Sequence, residues 1–187
     1  VQNNGGQAIL TSNHHKTGTD RIYEALTLLN TKDINFIMNV QGDEPDIDIN
    51  DIKALDFKMK SNKSNIGTLA AHIQNEKIYY NKNVVKVEIK EPFNKNSFPL
   101  AENFTRNFNS QEKKNVYHHI GIYCYEAQTL KKFISFKQSK KEIENRLEQL
   151  RAIDNNININ VALANTSPIG VDTKEDYLAI KKIMEYK

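Results

Sequence analysis

Ile34-Asn35-Phe36-Ile37-Met38-Asn39-Val40 is a short, nearly continuous apolar run that stops abruptly at Gln41-Gly42-Asp43-Glu44-Pro45. Such a run, bounded by turn residues, predicts a strand buried on both faces, as in a parallel sheet. In open α/β sheets, ligands bind just beyond the carboxyl ends of the strands. Gly42 lets a ligand approach the backbone. Asp43 and Glu44 have the hard oxygens that hold a cation, and Pro45 forbids continuation of the sheet. Taken alone, the stretch reads equally well as an acidic surface turn.

The rest of the chain alternates in the same way. A helix end with its Gly5-Gly6 stop leads to an expected strand at Ala8-Ile9-Leu10-Thr11. The next helix, capped by Thr17 or Thr19, places Ile22, Ala25, Leu26 and Leu29 on one face. Arg21 sits in its first turn, where the helix dipole disfavours a cation. With Gly18 and the free N–H groups it makes a phosphate site; a surface arginine on a capped helix is the plain alternative. A helix follows from Ile49 to Lys60, then a buried strand from Ile66 to Ala71. Val85, Val87 and Ile89 alternate with Lys86 and Glu88, predicting a half-exposed strand.

Residues Glu91 to Asn115 are polar and read as a surface excursion, with Ala101 to Arg106 its one ordered piece. Tyr117 to Tyr125 is aromatic and β-branched, hence a strand. A short helix is expected at Gln128 to Phe133. A longer one is expected from Ser139 to Ile153, burying Ile143, Leu147, Leu150 and Ile153. Ile157 to Leu163 is the last strand. The final helix starts at Thr173, which forms a capping box with Asp176, and lines up Tyr177, Ile180 and Met184. Strands alternating with helices predict an α/β fold: three layers, with a mostly parallel mixed sheet flanked by helices.

Composition excludes several classes. The 187 residues are 39% hydrophobic and 26% charged, with scattered lysines and a net charge of +3, too weak to argue for nucleic acid. One cysteine, Cys124, rules out an internal disulfide and fits a reducing compartment. No stretch reaches the roughly 20 apolar residues of a membrane span. The adjacent pairs His14/His15 and His118/His119 build no zinc site, because neighbouring strand residues face opposite sides. There is no P-loop, intact Gly-x-Gly-x-x-Gly or Gly-x-Ser-x-Gly.

What remains is a pair of acidic turns. Asp43 follows the first apolar strand, and Asp172 follows the last. If those strands are parallel neighbours, the two carboxylates meet at one edge of the sheet. Two carboxylates with open positions are how Mg²⁺ is commonly held against a nucleotide phosphate. Facing the Thr17-Gly18 helix start, they suggest metal-assisted phosphoryl or nucleotidyl transfer.

Seven blocks then fall in one order: His15-Lys16-Thr17-Gly18-Thr19-Asp20-Arg21, Asn39-Val40-Gln41-Gly42-Asp43-Glu44-Pro45, Asn83-Val84-Val85-Lys86-Val87, Phe104-Thr105-Arg106, His119-Ile120-Gly121-Ile122-Tyr123, Leu147-Glu148-Gln149-Leu150-Arg151 and Gly170-Val171-Asp172-Thr173. In these the chain resembles the 3-deoxy-manno-octulosonate cytidylyltransferases, or CMP-Kdo synthetases. The resemblance implies a nucleotide-diphospho-sugar transferase fold and the reaction CTP + Kdo → CMP-Kdo + pyrophosphate, with Mg²⁺. It implies a cytoplasmic homodimer serving lipopolysaccharide synthesis, with no nucleic-acid or membrane partner. By position, Asp43 and Asp172 match the metal-binding acids. Thr17, Gly18, Arg21, Gln41 and Gly42 match the nucleotide side. Gln41, Arg106, His119, Tyr123, Glu148 and Gln149 match the sugar side. Asp43, Asp172 and Arg106 are the expected catalytic set, with Asp172 the candidate proton acceptor. The guanidinium suits the sugar's carboxylate, and Gln149, Glu148 and Tyr123 suit its hydroxyls.

The resemblance also has gaps. The family's N-terminal strand and basic, Gly-containing loop, which normally clamp the triphosphate, are not found here. Residues 1–187 are therefore expected to be one cytidylyltransferase domain without that strand-loop-helix. Thr105 replaces a serine, Glu126 stands in place of an arginine, and Ser139 to Arg146 departs from the usual Pro-x-x-x-Glu pattern. Alternatives are transfer to another acidic sugar, of sialic acid or 8-amino-Kdo type, and a non-catalytic fragment that keeps sugar binding or dimerisation.

Overall fold

Six strands form one mixed sheet in the computed structural model, which describes residues 1–187 apart from 31–32, 95, 110–113, 169, 172 and 186–187. They are β1 (Phe36–Asn39), β2 (Ile66–Ala71), β3 (Lys86–Ile89), β4 (Ala101–Thr105), β5 (Val116–Glu126) and β6 (Ile159–Leu163). Their order is β4-β3-β5-β2-β6, with β1 paired to β5 as well. The register Phe36↔Glu126 to Asn39↔Tyr123 sets β1 along the last residues of β5. β1, β2, β3 and β6 share one direction, and β4 and β5 oppose them.

Helices cover both faces. α1 (Gly18–Leu29), α4 (Ala127–Ser135) and α6 (Leu150–Asp154) send Ile22, Leu26, Leu130, Phe133 and Leu150 against Ile66, Tyr125 and Val161. On the other face α2 (Ile49–Asn62) packs Leu55 and Met59 onto Leu69, Ile120, Ile122 and Ala162. The approach is close. A Cβ on Gly67 would stand 2.5 Å from Met59 Sδ and 2.9 Å from Leu55 Cδ1. Among the described residues the remaining α-helices are α3 (Lys77–Tyr80), α5 (Lys140–Asn145) and α7 (Lys174–Glu185), and a 3-10 turn at Gln2–Asn4 ends at Gly5. Cys124 is a buried strand residue, and burial lifts its thiol pKa to about 12.

Several expectations change. Ala8 to Thr11 joins no strand, and Leu10 is 95% exposed. β1 is neither parallel to its neighbour nor buried on both faces; it lies antiparallel to β5 and half-buried. The strands before Asp43 and Asp172 are not neighbours, because β5 and β2 lie between β1 and β6. Lys86 lies in the core rather than on an exposed face. Phe104 and Phe108 are buried, so the 91–115 excursion contributes an edge strand and core side chains. In α7, Ile180 is buried but Tyr177 and Met184 are exposed.

The helix expected from Ser139 to Ile153 is two short helices. Arg146 adopts a left-handed conformation (φ 53°) at the end of α5, and α6 starts at Leu150. A buried ion pair spans the break: Arg151 Nε donates to Glu142 Oε2 at 2.8 Å and Nη2 to Oε1 at 2.6 Å. The Arg151 guanidinium also stacks 4.7 Å from the Phe133 ring. Bidentate geometry of this kind holds a carboxylate at a fixed angle. Ile143, expected inside, is exposed as a consequence. Glu148 and Gln149 fall in the turn between the helices and face the mouth of the sheet.

Candidate functional site

The acidic turn leaves β1 at Asn39 and docks on two glycines. A Cβ on Gly121 would touch the Gln41 amide at 3.7 Å, and one on Gly170 the Glu44 carboxylate at 3.6 Å. Val171 N donates to Asp43 O at 2.8 Å, so the segment leading to α7 reaches the turn although β1 and β6 are apart. Asp172 itself lies outside the described residues.

The approaching segment is fixed at two further points. Asp51, buried at the start of α2, accepts from Asn165 N at 3.0 and 3.1 Å and from Asn165 Nδ2 at 2.7 Å. Ser167 Oγ lies 2.7 Å from His118 Nδ1. The Thr173–Asp176 capping box forms as expected, with Thr173 N donating to Asp176 Oδ2 at 2.9 Å and Asp176 N to Thr173 Oγ1 at 3.2 Å. Sequence reasoning missed Asp51: an acid in a helix's first turn reads as a dipole partner, and nothing local shows that it is buried.

A cavity of about 560 Å³ opens between the start of α1 and the acidic turn. It is bordered by Gly18, Arg21, Gln41, Gly42, Asp43, Tyr123, Glu148 and Gln149, so most of the expected residues converge. Thr17 is the N-cap of α1, its side chain accepting from Asp20 N at 3.3 Å, and it borders a neighbouring hollow with Glu148. Arg21 Nη1 donates to Thr11 Oγ1 at 2.5 Å and Ser12 O at 3.0 Å. Glu24 accepts from Ser12 N and pairs with His15, which folds residues 12–15 onto α1.

Two polar atoms on this cavity are buried without a hydrogen-bond partner among the described residues: Tyr123 Oη and Glu148 Oε1. Glu148 Oε1 lies 3.7 Å from Arg151 Nη2, too far for a hydrogen bond. Burial raises the pKa of Glu148 above the usual carboxylate range, against the opposing pull of Thr17, Thr19 and Arg151. Burial, with Tyr125 and Glu148 nearby, pushes the Tyr123 hydroxyl well up against the opposing pull of Thr68, so it stays a donor. Buried polar atoms are nearly always satisfied, so two orphans at one cavity point to a polar ligand.

A second cavity, of about 450 Å³, shares Asp43 and is bordered by Arg106, His118, His119 and Ser167. Arg106 Nη1 donates to Asn83 O at 2.9 Å. Thr68 Oγ1 donates to Ile122 O at 2.8 Å, so at 3.0 Å from it His119 Nε2 must be the donor. Burial holds His119 neutral, with a pKa near 3, and His118 likewise at about 4. Both histidines border this cavity, where strict alternation allows only one, although they pair in regular register with Ala71 and Ala70. Glu126 caps α4 by accepting from Thr129 N at 2.7 Å.

Among the described residues no three His, Cys, Asp or Glu side chains cluster as a metal site. The Asp43 carboxylate is exposed where the two cavities meet and makes no hydrogen bond to the described residues. One or two carboxylates and substrate phosphates suffice for Mg²⁺, so this donor set fits. No helix among the described residues is long and apolar enough to cross a membrane.

Comparison with known proteins agrees with this geometry. Residues 1–159 match the family model described as cytidylyltransferase. The chain is 40% identical over 181 residues to a 3-deoxy-manno-octulosonate cytidylyltransferase of Bartonella bacilliformis, covering 96% of this chain and 74% of that one. It is 39% identical over 199 residues to the protein of that name from Thermodesulfovibrio yellowstonii, covering 98% and 76%. A solved CMP:2-keto-3-deoxy-manno-octonic acid synthetase complexed with CTP superposes with a TM-score of 0.85 at 30% identity, covering 100% of this chain and 75% of that one. An apo UDP-glucose pyrophosphorylase, at 11% identity and a TM-score of 0.62, shares the fold alone.

Proposed function

This chain belongs to the cytidylyltransferase family, and from that membership we propose that it transfers CMP from CTP to the anomeric hydroxyl of Kdo, releasing pyrophosphate. The observation that carries the sugar half of this reading is the pair of orphaned atoms, Tyr123 Oη and Glu148 Oε1, on the cavity beside Asp43. A polyhydroxylated sugar satisfies both: its oxygens accept from Tyr123 and its hydroxyls donate to Glu148.

The roles follow from position. Gln149 and Gln41 offer amides to further hydroxyls. Arg106, in the adjoining cavity, takes the sugar carboxylate, and His119, held as its Nε2–H form, shapes the wall behind it. Gly18, Arg21 and Gly42 border the nucleotide side, where the N-terminal N–H groups of α1 favour phosphate oxygens. Thr17 supports that side indirectly, by capping the helix.

The anomeric oxygen forms a bond to the α-phosphorus, and the bond from that phosphorus to the bridging oxygen breaks as pyrophosphate leaves. We assign the hydroxyl proton to Asp172, whose segment reaches the Asp43 backbone through Val171. Mg²⁺, held by Asp43 and Asp172 with phosphate oxygens, would neutralise charge and lower the hydroxyl's pKa. The same reading extends to a cytoplasmic homodimer serving lipopolysaccharide synthesis.

The test is pyrophosphate release from CTP with Kdo, a sialic acid or a neutral hexose as acceptor. Release and CMP-sugar formation are expected with Kdo. Release only with a sialic acid would assign another acidic sugar, and equal release with the hexose would contradict the role given to Arg106.

A further inference from the structure

Lys86 is a charged core residue to which the proposed reaction gives no role. It lies on β3 opposite Thr105 of β4 and His118 of β5, and is 0% exposed. Its ammonium donates to three main-chain carbonyls: Asn81 O at 2.9 Å, Val84 O at 2.8 Å and Arg106 O at 2.6 Å. That uses all three of its donors. Every acceptor is neutral, and the charge that acts on it among the described residues is another cation, Arg106. Burial, reinforced by that repulsion, lowers its pKa to about 8.

A buried charge without a counter-charge is costly, and an apolar residue would fill the space at less cost. What the ammonium adds is a tie between two separate segments, the loop before β3 and the end of β4. Both border the cavity shared with Asp43. Arg106 is thereby held at two points, its carbonyl by Lys86 and its Nη1 by Asn83 O. The loop that accepts from the guanidinium is the one the lysine grips. Arg106 and two neutral imidazoles form this side of the cavity, with Lys86 behind them, and Asp43, Glu44 and Asp176 border the rest of it.

We infer that Lys86 is a positioning residue that, by gripping both segments, holds Arg106 against the cavity and sets its preference for a sugar that bears a carboxylate. This rests on the acidic-sugar reading of the same site. A lysine needed only for folding would affect charged and neutral sugars alike.

The experiment is calorimetric binding of Kdo and of its uncharged methyl ester. The wild type is expected to prefer Kdo by about tenfold or more. Lys86→Met is expected to lose most of that preference by weakening Kdo, with the ester bound within about twofold of wild type. In an Arg106→Met background, Lys86→Met is expected to add little, because it acts through Arg106. Loss of both ligands in parallel, unchanged Kdo affinity in Lys86→Met, or effects that multiply in the double variant would each overturn the inference. A wild type that binds neither sugar overturns the proposed function and this inference with it.

Should Lys86→Met fail to melt cooperatively, the wild-type pH profile decides. As pH rises from about 7 to about 9.5, Lys86 loses its proton while Arg106 stays charged. His118 and His119 are already neutral across that window. The preference for Kdo over its ester is expected to fall, and a flat profile overturns the inference.

Discussion

Replacing Glu142 with glutamine probes the joint that presents the turn carrying Glu148 and Gln149 to the cavity. Glu142 and Arg151 are buried and bidentate, at 2.8 and 2.6 Å, and Glu142 also closes the capping box of α5 through Ser139 N at 3.1 Å. Removing one partner of such a pair leaves an uncompensated buried charge, which costs about 3–5 kcal/mol. Arg151 keeps Glu148 at 3.7 Å and Asp20 at 4.0 Å as weaker partners, so the lower end, about 3 kcal/mol, is expected. For a chain of this length that lowers the melting temperature by about 6–12 °C. Chemical denaturation followed by circular dichroism measures it.

A second consequence is functional. Deprived of Glu142, the guanidinium draws the Glu148 carboxylate away from the cavity, so Kdo binding weakens together with stability. A double-mutant cycle with Arg151→Met isolates the pair, and a coupling of about 2 kcal/mol is expected. A loss below about 1 kcal/mol, or strictly additive effects, would refute the claim that this pair fixes the break. The pH dependence has a definite sign. Desolvation raises the Glu142 pKa, but hydrogen bonds from Arg151 and Gln138 outweigh it and hold it below the ordinary 4.5. Its stabilisation is therefore complete above that value and is lost as pH falls through the lower, folded-state pKa.

Three other substitutions separate packing from function. Gly67→Ala forces a methyl against Met59 and Leu55 and is expected to cost about 1–3 kcal/mol in denaturation while leaving Kdo affinity unchanged. Tyr123→Phe removes a buried hydroxyl that has no close hydrogen-bond partner among the described residues, so stability should hold or rise while calorimetry shows Kdo binding about tenfold weaker. A parallel loss of stability would show that the hydroxyl is satisfied within the fold. Asp51→Ala strips three hydrogen bonds from Asn165 and should cost about 1–3 kcal/mol. It should also slow Kdo-dependent pyrophosphate release by more than about tenfold through the loosened approach to α7, and near-normal turnover would count against that role.

Much of this was legible because it is local. The periodicity of Ile22, Leu26, Leu55 and Met59 fixes helix faces, and Thr17 and the Thr173–Asp176 pair fix helix starts. The Gln41 to Pro45 turn was readable as the end of the strand because Gly and Pro restrict what the backbone can do there. The misreadings all depend on long-range partners. β1 looks doubly buried by composition, but it takes its position from β5, a strand far along the chain that pairs Phe36 with Glu126. The break at Arg146 is invisible to a pattern in which Ile143, Leu147, Leu150 and Ile153 satisfy a helical period. What overrides that period is the Glu142–Arg151 pair, and it turns Glu148 and Gln149 toward the cavity. Lys86 reads as a surface charge and Asp51 goes unnoticed because sequence does not reveal which carbonyls or amides wait in the core.

The central claim is that the Gln41 to Pro45 turn is a catalytic station and not an acidic surface turn, and Asp43→Asn tests it most directly. The variant keeps the shape of the side chain and the backbone bond from Val171 N to Asp43 O, so Kdo binding and melting temperature should match wild type. Kdo-dependent pyrophosphate release from CTP should fall by at least about a thousandfold. Release within about threefold of wild type would contradict the account.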